Sequence, residues 1–422
     1  MKILIKSARI IDKNSKYHNK ITDILIEDGI ITKIGSQIKK KGIKEFTKDN
    51  LHLSTGWMDI HSNFREPGFE NKDTLDHGIK SAIQGGFTSV LVMPQTNPVI
   101  DNKSSVEFIL NNTKDNIIDI HVSSSITRNL EENELVEMHN IHETGCRIFT
   151  QDKKSLQNTK MMQLALLYSK DFGGLIMNYP NDKHLSEGGQ MNEGVTSTKL
   201  GLRGIPNIAE EIMLDRDIRL SKYTQGNLHL SYISTKESVK KIKQAKKEGI
   251  NITTDVSINN LILDEESLLN FDTRYKLLPP LRTKQDNSQL IKGIKDGTID
   301  VISSDHSPED IESKKVEFDN AKFGILGLET MFGLIGKNLL NKIDLEVIIE
   351  KISTNPRRII LNEESKIEEG EKANITLFDP TLEWEVNKND IKSKSTNTPF
   401  IKQKLKGKAI AIYNNSKFLT IN

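Results

Sequence analysis

The stretch from Trp57 to Met93 reads WMDIHSNFREPGFENKDTLDHGIKSAIQGGFTSVLVM, and its internal order sets the fold. An apolar run of strand formers, Trp57 to Phe64, is followed by a polar loop. From Thr74 to Gln84 the apolar residues then recur every three or four positions, as on one face of a helix. The chain turns at Gly85-Gly86 and enters a second β-rich run, Phe87 to Met93. The same order repeats downstream. Further strands are expected at Ile117 to Ser123, Arg147 to Thr150, Gly174 to Tyr179, Leu228 to Ile233, Ile252 to Val256 and Ile299 to Ser303, making eight in all. Helices are expected between them, among others at Thr159 to Lys170, Ile208 to Lys222 and Lys236 to Lys247. Eight strands alternating with helices point to a (β/α)₈ TIM-like barrel. The rival, an open doubly wound sheet, lacks its glycine-rich phosphate turn after the first strand.

Outside this repeat the period changes. The first fifty residues alternate as strands do, in Lys2-Ile3-Leu4-Ile5-Lys6 and Asp23-Ile24-Leu25-Ile26-Glu27, with Asp28-Gly29 as a turn. After two more predicted helices, Gly327 to Leu340 and Leu345 to Lys351, the strand period returns at Ala373 to Phe378 and Lys408 to Tyr413. The expected organisation is a small β-sandwich domain built from both ends of the chain, residues 1–54 and 366–422, beside a barrel at 55–365.

Composition narrows the function classes. The 422 residues include 59 Lys+Arg and 58 Asp+Glu, a net charge of +1, which gives no global attraction to nucleic acid or to an acidic membrane. No run approaches the ~18 uncharged apolar residues of a membrane span. The single cysteine, Cys146, forms no internal disulfide and no thiolate cluster, which fits a reducing compartment and makes the cytoplasm the expected location.

In a barrel of this type chemistry belongs at the carboxyl ends of the strands. At the first strand end stands Asp59-Ile60-His61-Ser62-Asn63-Phe64-Arg65-Glu66-Pro67-Gly68. Positions 61 and 63 share one side of a strand and suit a two-ligand grip on a metal, but only His61 is an imidazole. A lone strand histidine is more often a hydrogen-bonded core residue. At the eighth strand end, Asp305 in Ser304-Asp305-His306-Ser307-Pro308 is placed as a metal ligand or catalytic general base, or more plainly as a turn former.

Taken together these segments resemble the dihydroorotases, within the larger amidohydrolase family of cyclic-amide hydrolases. The resemblance is carried by Asp-x-His-x-x-x-Arg-Glu-Pro-Gly at 59–68, Met93-Pro94-Gln95-Thr96-Asn97-Pro98, Ile233-Ser234-Thr235-Lys236-Glu237-Ser238, Tyr275-Lys276 with Pro279-Pro280-Leu281-Arg282, Asp296-Gly297-Thr298-Ile299-Asp300 and Gly324 to Thr330. It covers nearly the whole chain. It implies a metal-dependent barrel of pyrimidine biosynthesis that interconverts N-carbamoyl-aspartate and dihydroorotate, usually with zinc, often as a homodimer and in association with aspartate transcarbamoylase.

Carried over position by position, the resemblance gives His61, Asp152 and Asp305 as retained metal ligands. It places Asn63, Tyr179 and Tyr232 where the family has histidines. An Asn carbonyl is a weak neutral donor and a Tyr phenol stays protonated near neutral pH, so a binuclear zinc site is not expected. The three remaining ligands suit at most one divalent cation, held through waters. Without a strong Lewis acid, water keeps its high pKa and hydroxide is scarce. In the substrate shell, Arg65 is kept for the substrate carboxylate, whereas the family's asparagines fall on Gln95 and Leu278 and a histidine falls on Glu309. A carboxylate at 309 is expected to repel a dicarboxylate. Lys153 and Lys154 follow the bridging acid, and a carboxylated lysine there does not restore the histidines. The reading is a dihydroorotase-family protein with impaired or absent activity. The alternative is a non-catalytic scaffold or regulatory partner of aspartate transcarbamoylase or of an active dihydroorotase. A hydantoinase or allantoinase needs the same missing histidines and ranks last.

Overall fold

A computed structural model describes residues 1–421 of the chain. Eight parallel strands form the barrel: Trp57–Ser62, Phe87–Val92, Asp119–Val122, Ile148–Thr150, Leu175–Asn178, Leu228–Leu230, Ile252–Ser257 and Val301–Ser303. Their ladders make two arcs, one of three strands and one of five. Single bridges, Ser124 to Phe149 and Ser62 to His306, close the arcs into a ring. Asp59 secures the second seam: its carboxylate accepts from the Ser304 amide at 2.7 Å and from the Ser62 hydroxyl at 2.6 Å. Inside the ring, Met58, Ile60, Leu91, Met93, Ile148, Leu175, Met177 and Val301 pack as one apolar cluster, which Ile360 from the helix Asn355–Leu361 closes from below. The interior is thus filled, and polar chemistry is confined to the opposite mouth.

Five of the eight strands end one to three residues before the runs read from the sequence, where the chain turns out of the ladder at the mouth, and the seventh runs one residue further, to Ser257. Arg65, Asp152, Tyr232 and Asp305 all adopt positive φ, from 48° to 65°. Such angles are costly for side chains of this size and concentrate at functional strand ends. Gly86 sits at φ 84°, where a Cβ would lie 2.4 Å from that of Ala409, so this turn requires glycine.

Two helices differ from expectation. The helix expected from Gly327 begins only at Met331, since the amides of Gly327 and Leu328 point at His306 Nδ1 (3.3 and 3.5 Å). The helix starting at Leu345 runs on through one wide turn, Glu350–Thr354, into Asn355–Leu361; the wide turn accommodates Pro356, which has no N–H to give.

Both chain ends build one β-sheet. His52–Thr55 pairs in parallel with Arg9 and Ile10 and antiparallel with Ile375 to Phe378, and Ile375–Glu385 pairs with Lys404–Asn414. Ile3, Ile5, Ile24, Ile26, Leu53, Ile375, Leu377, Ala411 and Tyr413 form its core. Among the described residues no helix is long and apolar enough to cross a membrane.

Candidate active site at the barrel mouth

The strand ends bring the charged residues singled out from the sequence, together with His61, to one mouth, where each has an internal partner. His61 is 1% exposed, and its Nε2 lies 2.8 Å from Asp255 Oδ2. The same oxygen receives His229 Nε2 at 2.9 Å, and His229 Nδ1 meets Thr253 Oγ1 at 2.8 Å. Burial disfavours the charged imidazolium of His61, yet the carboxylate of Asp255 outweighs it and the pKa is raised. Burial likewise works to raise the Asp255 pKa, and the two imidazoles reverse it, holding this acid well below its usual range. His229 and Asp255 were not singled out from the sequence. The only local signal is a polar residue inside each of two buried strands, and their partnership is set by the register that pairs His229 with Thr253.

Tyr232, where the resemblance implies a histidine, makes contacts of a different kind. Its ring stacks on the His61 imidazole, with centroids 3.9 Å apart and planes inclined by 27°. Its hydroxyl donates to Asp152 Oδ1 at 3.0 Å. The Tyr179 ring meets it edge-on, with centroids 6.1 Å apart. Burial pushes both phenols up, and for Tyr232 the Asp152 charge adds to the rise, so both stay protonated. Across the mouth, Lys153 Nζ lies 2.5 Å from Asp305 Oδ1 and 4.9 Å from the Tyr232 ring centroid. Burial raises the Asp305 pKa, and the Lys153 ammonium opposes the rise in part. Asn63 is buried, its backbone N–H donating to the His306 carbonyl at 2.9 Å.

Arg65 and Gln95 are also engaged. Arg65 Nη2 pairs with Glu309 Oε1 at 3.0 Å, and Arg65 Nε donates to the Pro308 carbonyl at 3.0 Å. Lys72 Nζ reaches Glu309 Oε2 at 2.7 Å. The carboxylate at 309, expected from its charge alone to repel a substrate, is here the partner of the guanidinium. Gln95 is half-buried and reaches the Gln151 carbonyl at 3.4 Å, and Leu278 is half-buried beside Pro279.

Does this donor set fit a divalent metal? His61, His229 and Asp255 place two nitrogens and an oxygen within 4.8 Å of one another, a set of the type zinc accepts. The separations argue otherwise. Donors sharing a tetrahedral zinc at about 2.0–2.1 Å stand roughly 3.3 Å apart, whereas here both imidazole nitrogens approach one oxygen at 2.8 and 2.9 Å, the length of charge-assisted hydrogen bonds. The set His61, Asp152 and Asp305 is not an open cage either. Two members face a proton donor, Asp152 the Tyr232 hydroxyl and Asp305 the Lys153 ammonium, and the third, His61, has its Nε2 on Asp255 and its Nδ1 buried without a partner among the described residues. The residues present do not fit the two-metal centre implied by the motif resemblance.

Comparison with known proteins places the chain in context. Residues 52–238 match a family model described as dihydro-orotase-like. The chain is similar to the dihydroorotase of Caldicellulosiruptor saccharolyticus, at 41% identity over 99% of this chain and 98% of the relative. It is similar to that of Acetivibrio thermocellus at 38% identity over 96% of each. Among solved structures it superposes on an L-hydantoinase (dihydropyrimidinase) from Arthrobacter aurescens with a TM-score of 0.87 at 18% identity, covering 99% of this chain and 96% of that one. A dihydropyrimidinase from Brevibacillus agri gives a TM-score of 0.84 at 21% identity, covering 100% and 95%. The structural likeness carries the fold, a TIM-type barrel with a β-sandwich domain.

Proposed function

Because the chain belongs to the dihydroorotase family, we propose that it is a member whose hydrolytic centre has been closed by its own side chains, leaving a folded barrel that acts as a non-catalytic partner in pyrimidine biosynthesis. One observation carries this reading. Every retained group with chemistry to offer has an internal partner: His61, through Nε2 alone, with Asp255, Asp152 with Tyr232, Asp305 with Lys153, and Arg65 with Glu309, while His61 Nδ1 is buried with no hydrogen-bond partner among the described residues. Cyclic-amide hydrolysis needs a polarised carbonyl and an attacking hydroxide. Two neutral phenols and an ammonium generate neither, since a lysine ammonium donates protons but has no lone pair to bind a metal or take a proton. The charged pair Arg65–Glu309 satisfies the guanidinium that a substrate carboxylate would otherwise meet.

The scaffold is meanwhile kept in detail. Arg282, buried in the Pro-Pro-Leu-Arg segment, donates to the Ser234 hydroxyl, to Asn192 Oδ1 and to the Ile205 carbonyl, tying three mouth loops together. That care for shape without care for chemistry supports a role through binding, with aspartate transcarbamoylase or an active dihydroorotase as the partner and a homodimer as the assembling unit. The activity test is turnover of dihydroorotate and N-carbamoyl-aspartate by the purified chain with zinc, manganese or cobalt added. No turnover above the buffer rate is expected; kcat in the ordinary enzyme range of about 1–10³ s⁻¹ overturns the reading. Co-purification with aspartate transcarbamoylase at low salt is expected for the partner role, and its repeated absence counts against it.

A further inference from the structure

We propose that the ammonium of Lys153 is a built-in cation that takes the place of the metal at the barrel mouth and bars a divalent ion from it. The inference deepens the functional reading above and rests on it for the identity of the site, but its evidence is geometric. Asp152 and Asp305 stand at the ends of the fourth and eighth strands, on opposite sides of the mouth, and both are buried. Two carboxylates converging in a water-poor cavity demand a positive charge between them. Lys153 supplies it. Its backbone follows Asp152 directly, and its side chain, 14% exposed, crosses the mouth to place Nζ 2.5 Å from Asp305 Oδ1. On the way the ammonium passes over the face of Tyr232, 4.9 Å from the ring centroid, an attractive position for a cation. The hydroxyl of that same ring donates to Asp152. One cation and one aromatic ring therefore serve both acids, and the same ring also stacks on the imidazole of His61.

The arrangement differs from a metal site in a way that matters. A divalent ion offers exchangeable coordination positions and two charges. An ammonium tethered to the main chain offers three N–H donors and one charge, cannot be removed by a chelator, and cannot bind or activate water as a Lewis acid. Loss of histidines lowers metal affinity; an ammonium already seated on Asp305 adds electrostatic repulsion and occupies the oxygen a metal would need.

The test uses full-length protein. Wild type, Lys153→Gln, Lys153→Arg and the double variant Lys153→Gln/Asp305→Asn are dialysed against manganese or zinc, freed of excess ion, and compared by metal analysis and by Tm with and without chelator. Wild type and Lys153→Arg are expected to retain well under one equivalent and to show a Tm indifferent to chelator. Lys153→Gln is expected to lose stability in chelator, to bind about one equivalent of manganese, and to recover its Tm on doing so. The double variant, in which two neutral amides face each other, is expected to fold, to recover most of that Tm without metal and to bind none, which keeps the test decisive if Lys153→Gln alone does not fold. Stoichiometric metal in wild type overturns the inference. So does a folded Lys153→Gln whose Tm ignores both chelator and manganese. The functional reading fails separately: hydrolysis by metal-free wild type contradicts it while leaving the role of Lys153 intact.

Discussion

Arg65 and Glu309 face each other at 3.0 Å with side chains 10% and 5% exposed. Removing one partner of such a pair leaves an uncompensated charge, which costs far more than the pair itself contributes. Glu309→Gln strands both Arg65 and Lys72, so it is expected to lower stability by about 3 kcal/mol. Malonate, a small dicarboxylate, is expected to raise the Tm of this variant more than that of wild type by supplying the missing carboxylate. Equal Tm values for variant and wild type, with no malonate effect, contradict the pairing. The residue scale also marks the limit of sequence reading. Asn63, Tyr179 and Tyr232 stand out as departures only through the position-by-position resemblance, and the sequence does not say what each of them touches. The meaning of Glu309 was not legible, because a charge in the sequence does not announce its partner. His229 and Asp255 were invisible for the same reason, since only the register of two strands brings them to one oxygen.

At the scale of elements, the seam between the first and eighth strands depends on Asp59. Asp59→Ala leaves the buried Ser304 amide and the Ser62 hydroxyl without their acceptor. The expected loss is about 2–4 kcal/mol, read from urea denaturation; a loss below about 0.5 kcal/mol, within the spread of surface substitutions, would mean the seam is held elsewhere. The loop after the eighth strand carries a pH signature. Lys314 is buried with Nζ on the Lys322 and Gly324 carbonyls, and burial lowers its pKa from 10.5 to about 7. In the unfolded chain it keeps its proton up to the ordinary lysine range. The folded state therefore releases this proton first, and the stability contributed by Lys314 rises as pH climbs from about 7 to 10.5. Wild type minus Lys314→Met, compared by Tm across that window, should climb; a flat difference contradicts the assignment. Element positions were largely legible, because strand and helix periods are local. One helix correction arises from a contact that is not local, His306 capturing the 327–328 amides, and the other from a local one, a wide turn just ahead of Pro356.

For the whole molecule, the sheet made from both chain ends stands or falls together. Ile375, Leu377, Ala411 and Tyr413 are all fully buried in it. The three large side chains among them alone account for about 5–9 kcal/mol, against a typical net stability of roughly 5–15 kcal/mol. Removal of residues 366–422 is accordingly expected to give insoluble protein, and a soluble, cooperatively unfolding remnant would show the barrel to be independent. The architecture was the most legible part of all, since eight repeats of one pattern outweigh any single boundary, whereas closure of the mouth is a property of side chains from five strands. That closure is the centre of the account, and a crystal grown in zinc and measured at the zinc absorption edge tests it most directly. The account predicts Lys153 Nζ seated on Asp305 and no anomalous peak at the mouth. Two strong peaks among residues 61, 152 and 305, with Lys153 swung aside, would contradict it.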